Sequence, residues 1–566
     1  MSKLGRTMGL TTALMITGML AIGQQQEGDR QASVPKGWHL LDKAKDGYSG
    51  ISLNKAYEFV KSKNLKGKPV IVAVIDSGID TLHEDLKEVL WTNPKEIPGN
   101  GIDDDGNGYI DDVHGWNFLG NKDGRNLKQD SYEGARVYHS LKAKYENADP
   151  SKLTGDDAIE YKMWAKAKAK VEGDGNSGAD LFMLKTALKN AQKSDSVIRA
   201  GMKKDVYTGN ELDTFNAATQ AEKSAKGGFL YLFRANKMME TSNKEFLEGF
   251  TEYVNGEEKK AEAKDHAPEN FRAAVTGDNE NDINDKYYGN SDVMASTPFH
   301  GTHVAGIIGA IRNNGKGMDG VADNVRIMAV RAVPDGDEHD KDIALAIRYA
   351  VDNGAQIINM SFGKDFSPRK KWVDEAVQYA NSKGVLLVHA AGNDAKDVDV
   401  EDNFPSPVYQ NGKGRADNWI TVGASGDDAA GGLTASFSNY GKKEVDVFAP
   451  GVKIYSTIPG GNTYGDAQGT SMASPVVAGA AAFLKSYFPK LSPKQLKYCL
   501  EKSAQAPTEK VRKPGTDEMV PMSELAKSGG VINVYEAAKI AATLEGGAVP
   551  EKKKTTVKPT LKNKKG

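Results

Sequence analysis

The chain has almost no cysteine: Cys499 is the only one among 566 residues. An intrachain disulfide is therefore impossible, and the fold must be stabilised by its core or by bound metals. Cys499 lies in a predicted helix that has Ser492 as N-cap and Pro493 at its first position. It shares one helical face with Leu496 and Leu500, which predicts a small core residue rather than a reactive thiol.

The chain also lacks an excess of either charge. It has 74 Lys and Arg against 76 Asp and Glu, a net charge of −2, so its overall charge does not favour nucleic acid as a partner. Beyond residue 23, no segment is long and apolar enough to span a bilayer. A composition that is 39% hydrophobic and 27% charged is typical of a soluble globular protein.

The two ends of the chain differ from the rest in composition. Residues 1–23 have the pattern of a signal peptide, with Lys3 and Arg6 before an apolar stretch and small residues before Gln24. This pattern predicts export to the periplasm or out of the cell; an N-terminal membrane anchor is the alternative. Residues 546–566 are lysine-rich and are expected to form a disordered tail.

Short apolar runs rich in β-branched residues recur along the chain and alternate with helical patterns. Such runs are typical of strands that are buried on both faces of a parallel sheet. They lie at 70–75, 325–332, 357–360, 385–390, 420–422 and 445–448, and the clearest helical patterns lie at 342–352 and 371–383. The alternation predicts a doubly wound α/β fold with a mostly parallel sheet, helices on both faces, and a site at the carboxyl ends of the strands.

A helix-rich segment, residues 121–284, interrupts this α/β pattern. It is rich in Lys, Ala, Glu and Met, and apolar residues recur in it with helical spacing at positions 181, 184, 188 and 191. We expect an insertion of several antiparallel helices between two parts of one domain, residues 24–120 and 285–545. It could act as a lid, a substrate exosite or a folding aid; the alternative is a solvated elaboration without a role in catalysis.

An acidic loop at residues 101–112 resembles the opening of a calcium-binding EF-hand loop. Its predicted ligands are Asp103, Asp105, Asn107, the backbone carbonyl of Tyr109, and Asp111. A histidine stands where an EF-hand has its bidentate glutamate, and no flanking helix pair is evident. We therefore expect a structural Ca²⁺ loop without an EF-hand fold, with a solvated Asx-rich turn as the alternative. A second acidic cluster, residues 278–285, is expected to be a loop, with a metal site as the alternative.

The residues 469–475, Gly-Thr-Ser-Met-Ala-Ser-Pro, stand before a small-residue, helix-forming run at 476–484. This order predicts that Ser471 lies where a loop becomes a helix, and that Pro475 lies in the first turn, where its missing N–H is not needed. The first N–H groups of a helix have no internal partner, and the helix dipole is positive there. A hydroxyl at this point can attack a carbonyl while these N–H groups stabilise the oxyanion.

The segment 469–475 resembles the nucleophile motif of the subtilisin-like serine proteases, the subtilases. Residues 74–80, Val-Ile-Asp-Ser-Gly-Ile-Asp, resemble the aspartate motif of that family, and residues 300–306, His-Gly-Thr-His-Val-Ala-Gly, resemble its histidine motif. The three segments occur in the family's order. The resemblance covers about residues 38–120 and 285–545 but not the insertion.

The resemblance implies an exported serine endopeptidase that cleaves peptide bonds through an acyl-enzyme. Ser471 would be the nucleophile, His300 the general acid and base, and Asp76 the carboxylate that orients the imidazole. His300 is preferred to His303 because it matches the first histidine of the family motif. Asn393 resembles the family's oxyanion donor, whereas an Asn after Gly can also be a plain turn.

Ser361, Phe362 and Gly363 resemble the stretch that pairs with extended substrate and walls the first specificity pocket, and residues 403–405 are expected to form the far wall. Lys364 stands where many relatives have a small residue. These features predict protein and peptide substrates, broad specificity with a hydrophobic preference, and no organic cofactor. Two alternatives remain: a binding protein with occluded catalytic groups, and a processing protease that uses the insertion as an exosite. The oligomeric state is left open.

Overall fold

The computed structural model describes residues 34–173, 177–236, 238–239, 242–295, 298–412 and 414–544. The predicted signal peptide and lysine-rich tail lie outside these described residues. Within them, no helix is long and apolar enough to cross a membrane.

A seven-stranded sheet forms the centre of the molecule, in the order β2-β3-β1-β4-β5-β6-β7, and every pairing in it is parallel. The strands are β1 (Val70–Asp76), β2 (Gly115–Asn117), β3 (Val325–Arg331), β4 (Ile357–Met360), β5 (Leu386–Ala390), β6 (Trp419–Ser425) and β7 (Val447–Pro450). The predicted doubly wound α/β fold is thus confirmed. The three-residue edge strand β2 was not predicted, because it is too short to show a period.

Two antiparallel ribbons lie outside the sheet. One pairs β8 (Ile454–Ile458) with β9 (Thr463–Ala467), and the other pairs β10 (Val511–Arg512) with β11 (Met519–Val520). The helices are α1 (Lys43–Asp46), α2 (Leu53–Ser62), α3 (Glu133–Tyr145), α4 (Gly155–Glu172), α5 (Ser177–Met202), α6 (Gly209–Thr214), α7 (Gln220–Ala235), α8 (Asn243–Asp265), α9 (Phe271–Val275), α10 (Phe299–Gly309), α11 (Asp340–Asp352), α12 (Lys370–Ser382), α13 (Thr470–Tyr487), α14 (Pro493–Ser503) and α15 (Val534–Leu544).

The side chains of β1 show why its sequence is apolar throughout. Val72 and Val74 belong to a core shared with α10, α13 and α15, whereas Ala73 and Ile75 belong to a second core shared with α11 and α12. Because successive side chains of a strand point to opposite faces, both faces of this strand are covered by helices. Asp76 is the last residue of β1, at the carboxyl end of the strand.

The insertion contains helices α3 to α8 and has two cores of its own. The first is built from α3, α4 and the end of α8, and the second from α5, α6, α7 and the beginning of α8. Leu188 and Ala191 of the predicted apolar stripe are buried in α5.

The chain that leaves the insertion is fixed by buried charges. Arg272 of α9 pairs with Asp342 of α11 at 2.5 Å and with Asp278 at 3.0 Å, and Asp278 also pairs with Lys341 at 2.6 Å. These four side chains are at most 2% exposed. The acidic cluster at 278–285 is thus a loop in which Asp278 binds side-chain cations of the protein itself.

Candidate active site

Asp76 and His300 are 224 positions apart in the chain and are in contact in the structure. Nδ1 of His300, in the first turn of α10, lies 2.8 Å from Oδ1 of Asp76. The N–H of Ser77 donates to the same carboxylate oxygen at 2.7 Å, and Asp76 is almost fully buried. Because the carboxylate accepts the proton of Nδ1, the neutral imidazole presents Nε2 as its acceptor nitrogen.

Ser471 is the second residue of α13, so its N–H is one of the unpaired donors of the first turn. Its hydroxyl donates to the carbonyl of Ser361 at 3.1 Å. The residue before the helix is Gly469, whose φ of 150° lies in a region that favours glycine. This glycine lets the chain turn sharply from the loop into the helix that carries Ser471.

Pro475 lies deeper in the helix than its predicted place in the first turn. It is the sixth residue of α13, where an ordinary residue would donate its N–H to the carbonyl of Ser471. Because proline lacks that N–H, the Ser471 carbonyl is available to another donor, and the hydroxyl of Ser361 donates to it at 2.9 Å. The missing N–H of the proline therefore lets the Ser471 carbonyl accept a hydrogen bond from the residue that follows β4.

Two further buried side chains extend this contact and were not identified from the sequence. Asn359, in β4, donates from Nδ2 to the Ser361 hydroxyl at 2.9 Å, and the hydroxyl of Ser474 donates to Oδ1 of Asn359 at 2.9 Å. Asn359 and Ser474 are completely buried. The backbone of the predicted nucleophile is thus connected to β4 by a continuous chain of hydrogen bonds.

Asn393 follows β5 and is oriented by Thr470. Oδ1 of Asn393 accepts hydrogen bonds from the backbone N–H and the hydroxyl of Thr470, each at 2.9 Å. Because a backbone N–H can only donate, the other end of this amide is the NH₂ group. That donor and the N–H of Ser471 both lie near the beginning of α13, because a Cβ added to Gly469 would be 3.5 Å from each of the two nitrogens.

His303, the second histidine of the motif, has a different environment from His300. It is fully buried, and its Nε2 lies 3.2 Å from the carbonyl of Gly465. Burial lowers the pKa of His303 to about 4, with a smaller contribution from the nearby His300. His303 is therefore a neutral packing residue at pH 7.

The predicted substrate-binding residues lie beside Ser471. Ser361 is buried; its hydroxyl donates to the carbonyl of Ser471, and its carbonyl accepts from the hydroxyl of Ser471. Gly363 is exposed. A Cβ added to Gly363 would lie 3.0 Å from Oδ1 of Asn403, so the predicted far wall at 403–405 lies close to Gly363. The carbonyl of Phe362 points inward and accepts a hydrogen bond of 2.8 Å from Nε2 of His389, a buried histidine that was not identified from the sequence.

A profile of the subtilase family, the S8 peptidases, matches residues 67–522. The chain belongs to the subtilase family. It is 49% identical over 188 residues to a thermophilic serine proteinase of Bacillus sp. strain AK1, a match that covers 33% of this chain and 42% of that protein. It is 39% identical over 206 residues to subtilisin DY of Bacillus licheniformis, which covers 36% of this chain and 70% of that protein.

The acidic loop of this subtilase differs in detail from the predicted calcium ligands. Asp103 accepts hydrogen bonds from the backbone N–H groups of Asn107 and Gly108, at 3.1 and 2.7 Å. Asp111 accepts hydrogen bonds from the N–H groups of residues 99, 100 and 101. Both carboxylates thus hold the loop's own backbone, and the structure gives no contact that tests Tyr109 as a ligand.

Three carboxylates converge beside this loop of the subtilase. Among the described residues, Glu96, Asp105 and Asp112 have ligand atoms within 4.8 Å of one another. Oε1 of Glu96 accepts hydrogen bonds from the N–H groups of residues 104 and 105, whereas its Oε2 is buried without a hydrogen-bond partner. Burial raises the pKa of Glu96, and it raises the pKa of Asp112 to about 6 against hydrogen bonds from Tyr349 and other donors.

A cation would compensate these three acids, of which Glu96 and Asp112 are buried and Asp105 is half-buried, and hard oxygen ligands suit Ca²⁺. Only Asp105 belongs to both the predicted set and the observed cluster. The sequence analysis did not include Glu96, because it precedes the motif. It did not include Asp112 as a ligand, because this residue lies one position beyond the predicted spacing.

Proposed function

We propose that this subtilase is a serine endopeptidase that hydrolyses peptide bonds in proteins and peptides. The observation that supports this most directly is the 2.8 Å contact between Asp76 and His300, with Ser471 at the beginning of the neighbouring helix α13. The buried carboxylate stabilises an imidazolium at His300, so Nε2 can take a proton from a serine hydroxyl.

In the proposed reaction, the Ser471 hydroxyl turns from the carbonyl of Ser361 towards Nε2 of His300 and gives up its proton as it attacks the scissile carbonyl. The Asn393 amide and the Ser471 N–H donate to the oxyanion that forms. The intermediate then expels the amine, which takes the proton from His300, and an acyl-enzyme remains on Ser471. Water, deprotonated by His300, hydrolyses the ester and regenerates the hydroxyl.

The test compares casein hydrolysis by the purified wild-type protein with that by two alanine variants. Ser471→Ala should reduce hydrolysis to background while the circular dichroism spectrum stays unchanged. Ser62→Ala, at an exposed serine of α2, is the matched control and should retain wild-type activity. Hydrolysis that persists in Ser471→Ala would refute the assignment of the nucleophile.

We further propose that Ca²⁺ binds at Glu96, Asp105 and Asp112 and stabilises the fold without taking part in the chemistry. The buried, unpartnered Oε2 of Glu96 supports this, because an uncompensated buried carboxylate is costly unless a cation is present. Asp103 and Asp111 would shape the loop, while Asn107 and the Tyr109 carbonyl stay predicted ligands. Calorimetric titration with Ca²⁺ tests the site: wild type should give a saturable heat, and Asp105→Asn should not.

We also propose that the protein is exported, on the basis of the pattern at residues 1–23. Expression of the full chain with N-terminal sequencing of the extracytoplasmic fraction tests this. A mature N-terminus near Gln24 is expected, whereas a full-length protein confined to the cytoplasm would contradict export.

A further inference from the structure

The proposed substrate-binding edge ends at Gly363, and the next residue connects it to the insertion. The Lys364 side chain is 1% exposed, and its Nζ donates to Oε2 of Glu133 at 2.8 Å and to the carbonyl of Glu338 at 2.6 Å. The same nitrogen forms an ion pair with Oδ1 of Asp340 at 2.9 Å. Lys364 is therefore a fixed, buried residue rather than a mobile surface lysine.

Glu133 is the partner that belongs to the insertion, because it is the first residue of α3. Its carboxylate also accepts from Arg136 at 2.8 Å, and its own N–H donates to Oδ2 of Asp337 at 2.8 Å. Burial alone would raise the pKa of Glu133, but Arg136 and Lys364 outweigh it and hold the pKa well below its ordinary value. Glu133 is thus ionised, and it contacts two separate residues of the catalytic part of the chain: its N–H donates to Asp337, and its carboxylate accepts from Lys364.

An apolar contact also joins the insertion to the segment that follows Gly363. Phe366, which belongs to the catalytic part of the chain, is 1% exposed and buried in the core that α3 and α4 form. A Cβ added to Gly134 would lie 2.8 Å from the Phe366 ring, so α3 approaches this ring closely. The insertion is therefore packed against the residues that follow the substrate-binding edge.

Helix α4 reaches the other wall of the cleft as well. Lys170 pairs with Asp365 next to the substrate-binding edge, and Lys166 pairs at 2.7 Å with Asp402, beside the proposed far wall at 403–405. The insertion thus contacts both walls between which a peptide would lie. Removing one partner of a buried ion pair strongly destabilises a protein because the other charge is left uncompensated, so the attachment is sensitive to substitution at Glu133.

We propose that the insertion is a fixed part of the substrate-binding cleft, and that Glu133 is a positioning residue that holds Lys364 and thereby fixes the edge that binds extended peptides. This inference rests on the proposed endopeptidase function. Because the Lys364 side chain is buried and its backbone directly follows Gly363, its ion pair with Glu133 should hold this edge in place. The insertion would act on the binding of extended substrates and not on the chemical step.

The experiment uses Glu133→Gln, which keeps the shape of the side chain and removes its charge. Arg136 still has Asp130 and Lys364 still has Asp340, so the variant retains partners for both cations. Two substrates are compared: a p-nitrophenyl ester of one acylated amino acid, and a tetrapeptide p-nitroanilide with alanine or phenylalanine at the residue farthest from the scissile bond. Glu258→Gln is the matched control, because Glu258 pairs with Lys185 of α5 and does not belong to the ion pairs of Glu133 and Lys364.

For Glu133→Gln we expect kcat/KM for both tetrapeptides to fall at least tenfold, mostly through KM. Turnover of the ester should stay within twofold of wild type, and Glu258→Gln should match wild type on both substrates. Unchanged tetrapeptide kinetics, or an equal loss on ester and peptide, would overturn the inference. If Glu133→Gln does not fold, Lys166→Met/Lys170→Met at the exposed contacts replaces it, with the same expected pattern. Failure of the wild type on both substrates would instead refute the proposed function.

Discussion

The carboxylates Glu96, Asp105 and Asp112 give a prediction in which one substitution has opposite effects with and without calcium. Two carboxylates whose oxygens lie within 4.8 Å of each other repel by roughly 3 kcal/mol or more at an effective dielectric constant of about 20. In a chelator at pH 8, Glu96→Gln removes this repulsion, and its new NH₂ group can donate to the remaining acids. We therefore expect the variant to be about 1–3 kcal/mol more stable than wild type under these conditions.

Calcium reverses the order, because a ligand that binds only the folded state stabilises it by about 4.1 kcal/mol at about 1,000 times its Kd. Wild type gains this stabilisation and Glu96→Gln loses most of it. The pKa values of Glu96 and Asp112 are raised in the folded state, so ionising these groups lowers the free energy of unfolding as the pH rises through the two values. The advantage of the variant in chelator should therefore be present at pH 8 and disappear near pH 4.

Thermal unfolding in the Ser471→Ala background, which prevents self-digestion, measures both effects. Asp104→Asn is the matched control, because this exposed acid belongs to the same loop but its side chain bonds to residues 97 and 100 instead of entering the cluster. The control should respond to calcium as wild type does. If Glu96→Gln unfolds at a lower temperature than wild type in chelator, or gains as much from calcium, the assignment of this cluster is wrong.

Three further predictions concern the core, the oxyanion donor and the insertion. Burial lowers the pKa of His39 to about 3, so the stability that its neutral form contributes is fully present above pH 6.5 and is lost as the pH falls. In wild type, this group alone should lower the free energy of unfolding by about 1.4 kcal/mol for each pH unit below 6.5. His39→Leu should remove that slope when stability is measured by denaturant unfolding. Asn393→Asp keeps the acceptor for Thr470 but removes the NH₂ donor, and should lower kcat about 10²–10³-fold with little change in KM. This range comes from measurements on a subtilisin rather than from this structure. Equal kcat values for wild type and variant would exclude Asn393 as an oxyanion donor. Phe366→Ala should cost about 3–5 kcal/mol of unfolding free energy, whereas Phe182→Ala, at a ring that is 73% exposed, should change it by less than about 0.5 kcal/mol.

The sheet could be predicted from the sequence because burial on both faces leaves a continuous apolar run. The run at 70–75 corresponds to β1, and the run at 325–332 corresponds to β3. The edge strand β2 has only three residues, too few to show such a run. Its pairing with β3 depends on chain segments that are about 210 positions apart, which no local pattern records.

The candidate site was predictable where its residues lie in short motifs and not where they act through distant partners. Asp76, His300 and Ser471 each stand in a recognisable segment, and the contact between Asp76 and His300 agrees with their expected roles. His389 lies in an apolar run, where its single polar side chain was a signal that could have been followed. Glu133 gave no signal, because its importance depends on a lysine 231 positions later in the chain.

The interpretation of Pro475 was wrong for a related reason. The sequence showed a proline near a helix start but not the residue at which the helix begins, and helix ends cannot be located to one residue from sequence. The actual start at Thr470 puts the proline one turn deeper. Its effect is then to leave the carbonyl of Ser471 to the hydroxyl of Ser361.

Covalent trapping of the nucleophile tests the central claim most directly. The wild-type protein is treated with a peptidyl phosphonate diphenyl ester, digested with trypsin, and examined by tandem mass spectrometry to locate the phosphonyl group. We predict one adduct per chain, on Ser471, that is absent from Ser471→Ala and forms at least 100-fold more slowly in His300→Ala. An adduct on another residue, or modification of Ser471 at the same rate without His300, would contradict the account.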